Sequence, residues 1–140
     1  MSAAAILLPV FVQVALTFAL LFSLGPKRIA AIKNGEVKLG EVALDQNTWP
    51  PALVQIGNAL NNQFQLPVLF YVLVILALFL RKADLLFVIL SWVFVISRIV
   101  HAAVHATSNS MGRRFAAFVV GATVLLIMWV VFAIRILLAL

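Results

Sequence analysis

Arg98, His101 and His105 can donate, accept or carry charge, and their spacing stacks all three on one face of a helix. Asp84 and Ser91 continue that face at seven-residue steps before Arg98. The run 85–104 around them is otherwise almost wholly apolar. An arginine near the middle of a bilayer costs ~2.5–3.5 kcal/mol on insertion scales, so it marks a functional site or a polar bundle interior. Such a stripe could bind a carboxylate or shuttle a proton, since an imidazole titrates near neutral pH. His101 and His105 also have the i, i+4 spacing of a metal pair, but no third ligand is evident and no metal is expected.

Two further groups join the stripe. In 55–65, Gln55, Asn58, Asn61, Asn62 and Gln65 share one side of a helix at offsets of three, four and seven. Arg113 and Arg114 open the last apolar run. No carboxylate lies within the apolar runs, which excludes paired-carboxylate chemistry there. There is no cysteine nucleophile, no Ser–His–Asp set and no glycine-rich phosphate loop. What remains is electrostatic catalysis, an arginine holding an anionic nucleophile or a developing charge.

The elements that must position these groups follow from composition. The 140 residues are 66% hydrophobic and 10% charged, far too apolar for a soluble domain. Four apolar runs each supply the ~20 residues a spanning helix needs. Backbone amides find no water in a bilayer, so helices are expected. The reading is an all-α integral membrane protein, one four-helix domain over 1–140. Its helices are expected near 3–24, 51–80, 84–106 and 113–138. The first run has no charged leading residue and an apolar core too long for a cleaved signal. Gly25-Pro26 is expected to stop helix one, leaving 25–50 as a loop with a turn at Asn34-Gly35. Trp49-Pro50-Pro51 starts helix two, and Pro67 is expected to kink it.

Charge sets the expected orientation. Lys27, Arg28, Lys33 and Lys38 in the first loop, with Arg113 and Arg114 beside the third, outnumber Arg81, Lys82 and Arg135 on the other side. The positive-inside rule then places loops 25–50 and 107–112 in the cytoplasm and both termini outside. Topology and anionic lipid explain the basic loops, so no nucleic-acid partner is expected. His105 lies near the cytoplasmic end of helix three, with Arg98 about 10 Å deeper. The amides, imidazoles and guanidinium groups therefore meet at one depth. That suits a pocket for an anionic, hydrogen-bonding group beside an apolar, lipid-facing cleft.

The segment Asn58-Ala59-Leu60-Asn61-Asn62-Gln63-Phe64-Gln65-Leu66-Pro67 carries a resemblance. With the chain length, four spans and long first loop, it resembles the MAPEG family, membrane-associated proteins in eicosanoid and glutathione metabolism. Family members show Arg-Ala, two residues, Asn, two residues, Glu and then a nearby Pro. Ala59, Asn62 and Pro67 match, whereas Asn58 stands at the Arg position and Gln65 at the Glu position. The run 61–71 is similar to a bacterial branch. Family enzymes also carry a Tyr pair four apart late in helix three and an Arg opening helix four. His101, His105 and Arg113 or Arg114 hold the similar positions here.

The resemblance implies a homotrimer in a bacterial inner membrane, with a glutathione site between protomers in the cytosolic leaflet. Arg113 and Arg114 are then the catalytic candidates, stabilising a thiolate. Asn58, Asn62, Gln65, Arg98, His101 and His105 are the candidate glutathione-binding residues. Asn58 and Gln65 remove one positive and one negative contact from the family's set. Two readings stay open. One is a glutathione-dependent transferase, peroxidase or isomerase acting on lipophilic small molecules. The other is a non-catalytic membrane module, a lipid-binding, scaffold or accessory subunit that has lost the glutathione site. Expected partners are further copies of the chain, membrane lipids and a lipophilic small molecule.

Overall fold

The computed structural model describes residues 1–139. Helix α1 spans Ala3–Lys33, and the Ser2 hydroxyl caps it by accepting from the Ala5 amide at 3.1 Å. The helix runs through Gly25-Pro26, where the sequence suggests a stop, and ends at Asn34, followed by Gly35 at φ +72°. At ~1.5 Å per residue such a helix exceeds the ~30 Å apolar layer, so its last turns stand at the membrane surface. There water can take the one hydrogen bond that Pro26 forfeits. The extension also buries Ala31 in a cluster with Leu24, Val42, Trp49, Leu53 and Ile56.

The segment 34–50 is accordingly shorter than the expected loop and partly helical. A short α2, Leu39–Leu44, and a 3₁₀ turn, Gln46–Thr48, fold it over the end of α1. The second span is two helices rather than one kinked helix: α3 covers Pro51–Asn62 and α4 covers Leu66–Phe79. The break falls at 63–65, because Pro67 has no amide to give the Gln63 carbonyl four residues back and its ring would clash with that carbonyl in a continuous helix. Pro67 itself sits in the first turn of α4, where a missing amide costs no helical bond.

Helix α5, Leu85–Ala106, starts at Asp84, whose carboxylate accepts from the Phe87 amide at 3.0 Å. Helix α6, Met111–Leu137, returns antiparallel along α5, the most extensive helix pairing in the bundle. At their far end Arg135 meets Asp84 at 2.8 Å, which holds the Asp84 carboxyl below its ordinary range. Each of the four spans is long and apolar enough to cross a membrane. Large apolar side chains such as Phe11, Phe22, Ile75 and Ile96 point outward, as a lipid-facing surface requires.

The interior has three levels. An apolar cluster built on Ile6, Phe70, Leu73, Phe94, Leu125 and Met128 fills the half holding the chain termini. The cluster around Leu24 and Trp49 fills the basic end. Between them lie buried polar side chains: Gln13, Gln63, Ser97, Arg98, His101 and His105.

Candidate functional site: a cationic cleft between α3, α5 and α6

The polar face of α5 is turned inward, with Ser91, Arg98, His101 and His105 all buried. Arg98 is 1% exposed, and its Nη2 donates to His101 Nδ1 at 2.9 Å. Guanidinium has no acceptor, so His101 must accept at Nδ1 and carry its proton on Nε2. The guanidinium also lies over the Phe118 ring at 5.8 Å. Among the described residues Arg98 Nε and Nη1 have no partner, and no backbone carbonyl takes them. Buried arginine donors are otherwise almost always paired, which makes this the strongest anomaly in the bundle.

Arg98 stands directly behind the wall of an open cleft. Its two contacts, His101 and Phe118, both line that cleft, together with Asn62, His105, Met111 and Arg114. The cleft encloses about 290 Å³. Asn62 Nδ2 donates to His105 Nδ1 at 3.0 Å, which again leaves the imidazole proton on Nε2. The two imidazole rings stand edge to face, with centroids 5.6 Å apart. Arg114 is fixed by the turn before α6: Nη1 donates to Asn109 Oδ1 at 2.6 Å and Nη2 contacts Met111 Sδ at 2.8 Å. Asn109 adopts φ +52°, a left-handed conformation that asparagine tolerates. One guanidinium, two imidazoles and a carboxamide thus surround the opening, with a second guanidinium behind them.

The remaining candidates go elsewhere. Arg113 lies on another side of α6, at the mouth of an apolar groove. Because α3 ends at Asn62, the expected amide face does not continue to Gln65, which is exposed at the start of α4. Asn58 and Asn61 line a separate pocket of about 280 Å³ with Arg28, Gln46 and Asn47. In that pocket the Arg28 guanidinium lies over the Trp49 ring at 5.0 Å, and its Nε has no partner among the described residues. Gly57 makes room for it, since a Cβ there would stand 3.1 Å from Arg28 Nη2. Asn61 and Asn62 are adjacent in sequence yet face the two different pockets.

Arg28, Gln63 and Phe118 are not evident as site residues from the sequence. Arg28 reads there as one of several head-group anchors. Gln63 falls off the amide face, yet it accepts from Gln13 Nε2 at 2.6 Å and donates to the Ala59 carbonyl at 3.1 Å. Gln13 and Thr17 serve packing: the Thr17 hydroxyl donates to the Gln13 carbonyl at 3.2 Å. The one usable signal is Gln13, a polar residue on a long apolar helix, which is more cheaply paired across a bundle than left single.

A four-span helical bundle with a cationic cleft at its basic end defines a class of small integral membrane proteins. The MAPEG family model matches residues 6–134, nearly the whole chain, and the protein belongs to that family. No curated protein and no solved structure matches the chain.

Proposed function

We propose that this protein is a glutathione-dependent conjugating enzyme acting on lipophilic electrophiles. In this reading it works as a homotrimer in a bacterial inner membrane, with both termini outside. The observation that carries the reading is the cleft itself. Arg114, His101 and His105 converge on it, Arg98 backs it with two unpaired nitrogens, and the spans hold no carboxylate to neutralise them. The missing anion is then supplied from outside the chain.

The residues present fit glutathione in part. Arg114 is placed to hold a thiolate, whose formation a neighbouring cation favours. The Nε2–H groups of His101 and His105 can donate to a carboxylate or to an oxygen gaining charge. Arg28, Asn58 and Asn61 offer donors for a second carboxylate. No acidic side chain lines either pocket to meet the ligand's ammonium group. In the conjugation step the thiolate sulfur forms a bond to the electrophilic carbon. The displaced electron pair leaves with the leaving group or settles on a conjugated oxygen, which then takes a proton.

Calorimetric titration of wild type and Arg114→Ala with glutathione tests this. Wild type should release heat and gain thermal stability, and Arg114→Ala should bind about tenfold or more weakly, the scale of one charge-assisted contact. No heat and no thermal shift for wild type would favour the non-catalytic module. The burial of Arg98 behind the cleft wall and the outward position of Gln65 are the features on that side. Mass measurement in mild detergent tests the trimer, which a clean folded monomer would refute.

A further inference from the structure

The seam between α5 and α6 opens on the side of α6 away from the cleft. It forms a groove of about 390 Å³ lined by Val100, Val104, Ala116, Ala117 and Val120, with Arg113 at its mouth. The groove exists because the two helices are close at one end and carry small side chains at the other. At Gly121 a Cβ would fall 2.7 Å from Ser97 Oγ, so α6 touches α5 there. From that contact the groove runs two helical turns, about 10 Å, to the basic end of the bundle.

Arg113 is exposed, with no hydrogen bond or ion pair among the described residues. Its neighbour Arg114 is held by Asn109 and Met111 and faces the other way. Neither α5 nor α6 carries an acidic residue, so neither helix can supply an anion to Arg113. The groove's lining is almost entirely carbon, and Arg113, in the first turn of α6, puts its charge at the groove's end, not within it. An apolar channel in a membrane span that ends on an unpaired guanidinium is complementary to an amphiphile with one acyl chain along the seam and an anionic head outside. The planar donor fork of arginine matches a phosphate diester in two-point contact. Lys27, Arg28, Lys33 and Lys38 also lie toward this end of the chain's topology, which favours an anionic over a zwitterionic head group.

We infer that the α5–α6 seam is a binding site for an anionic phospholipid, one acyl chain lying against Val100, Ala116 and Val120 and its phosphate on Arg113. The site is separate from the cleft, so it does not depend on glutathione binding.

Native mass spectrometry of the full chain in mild detergent tests the site, with phosphatidylglycerol and phosphatidylcholine of identical acyl chains as probes. Wild type should retain phosphatidylglycerol about tenfold better than phosphatidylcholine. Arg113→Ala should reduce the first to the level of the second. Ala116→Phe, at an exposed position, fills the groove and should abolish retention with Arg113 still in place. Val120→Phe reads out the same effect if that variant does not fold. Equal retention of the two lipids by wild type, or unchanged retention in Arg113→Ala, overturns the inference. So does a groove-filling variant that keeps its lipid but loses oligomer mass, because the groove would then be a contact between copies of the chain.

Discussion

Gly121→Ala adds one methyl group at the tightest contact between α5 and α6. The new Cβ would stand 2.7 Å from Ser97 Oγ and 3.5 Å from both Cδ and Nη1 of Arg98. The arginine contacts are ordinary, but the serine contact is closer by several tenths of an ångström than the ~3.5 Å at which non-bonded atoms rest. Ser97 cannot yield freely, because its hydroxyl donates to the Phe94 carbonyl at 2.6 Å and is buried. Either the hydroxyl leaves that bond, costing ~0.5–1.5 kcal/mol, or the helices part and loosen the packing around them. A destabilisation of about 1–3 kcal/mol follows, read as a fall of roughly 3–9 °C in melting midpoint for a chain of this size. Circular dichroism melts in one detergent measure it. The double variant Gly121→Ala with Ser97→Ala removes the obstructing oxygen and should recover most of the loss. The two sites would then show a coupling of about 1 kcal/mol or more. A Gly121→Ala protein that melts with wild type, or a double variant no better than Gly121→Ala alone, refutes the close-contact argument.

Three other expectations follow from particular contacts. Arg135 and the Phe87 amide hold Asp84 below its ordinary pKa of 3.8. A carboxyl depressed in the folded state contributes stability that is full above its unfolded value and is lost as pH falls through the lower folded value. Asp84→Asn keeps a capping side chain, so it should lose only the extra acid sensitivity that sets in as pH falls toward and below 3.8. The difference should stay under ~1 kcal/mol because the pair is half exposed; acid melts of both proteins that superimpose would remove Asp84 as a source. Gln13→Leu or Gln63→Leu should each cost about 0.6–2 kcal/mol by stranding a buried amide, while the double variant costs less than their sum; strictly additive melts would show that the pair is uncoupled. Because the chain has no cysteine, Glu36→Cys gives a single thiol that should label only from the cytoplasmic side, and external labelling would reverse the proposed orientation.

The four spans, the buried stripe on α5 and the family were legible in the residues because each depends on local pattern. Twenty apolar residues can only be a helix in lipid, and offsets of three, four and seven share a face on any helix. Arg98, His101 and His105 therefore point inward as their spacing implies. The run 58–67 contains the strongest family signal and also the clearest misreading. A face drawn on one continuous helix joins Asn58, Asn62 and Gln65, but the break at 63–65 separates them. Pro67 signals an irregularity, yet proline tells where a helix is disfavoured, not where the chain gives way. The stop expected at Gly25-Pro26 fails for a related reason. Burying Ala31 against Trp49 and its neighbours outweighs one lost backbone bond at a wet helix end, and that gain depends on residues distant in sequence.

Which cations meet was decided by tertiary structure alone. Arg113 and Arg114 are adjacent, and helical geometry sends them about 100° apart, one to the mouth of a groove and one to a cleft. The pairing of Asn62 with His105 joins residues 43 positions apart, and the link between Gln13 and Gln63 spans 50. Composition determined that these polar groups would have to leave the lipid, because solvation in a bilayer depends only on what a side chain is. Their partners were set by the rotation and close approach of helices, down to the one methyl group that Gly121 lacks.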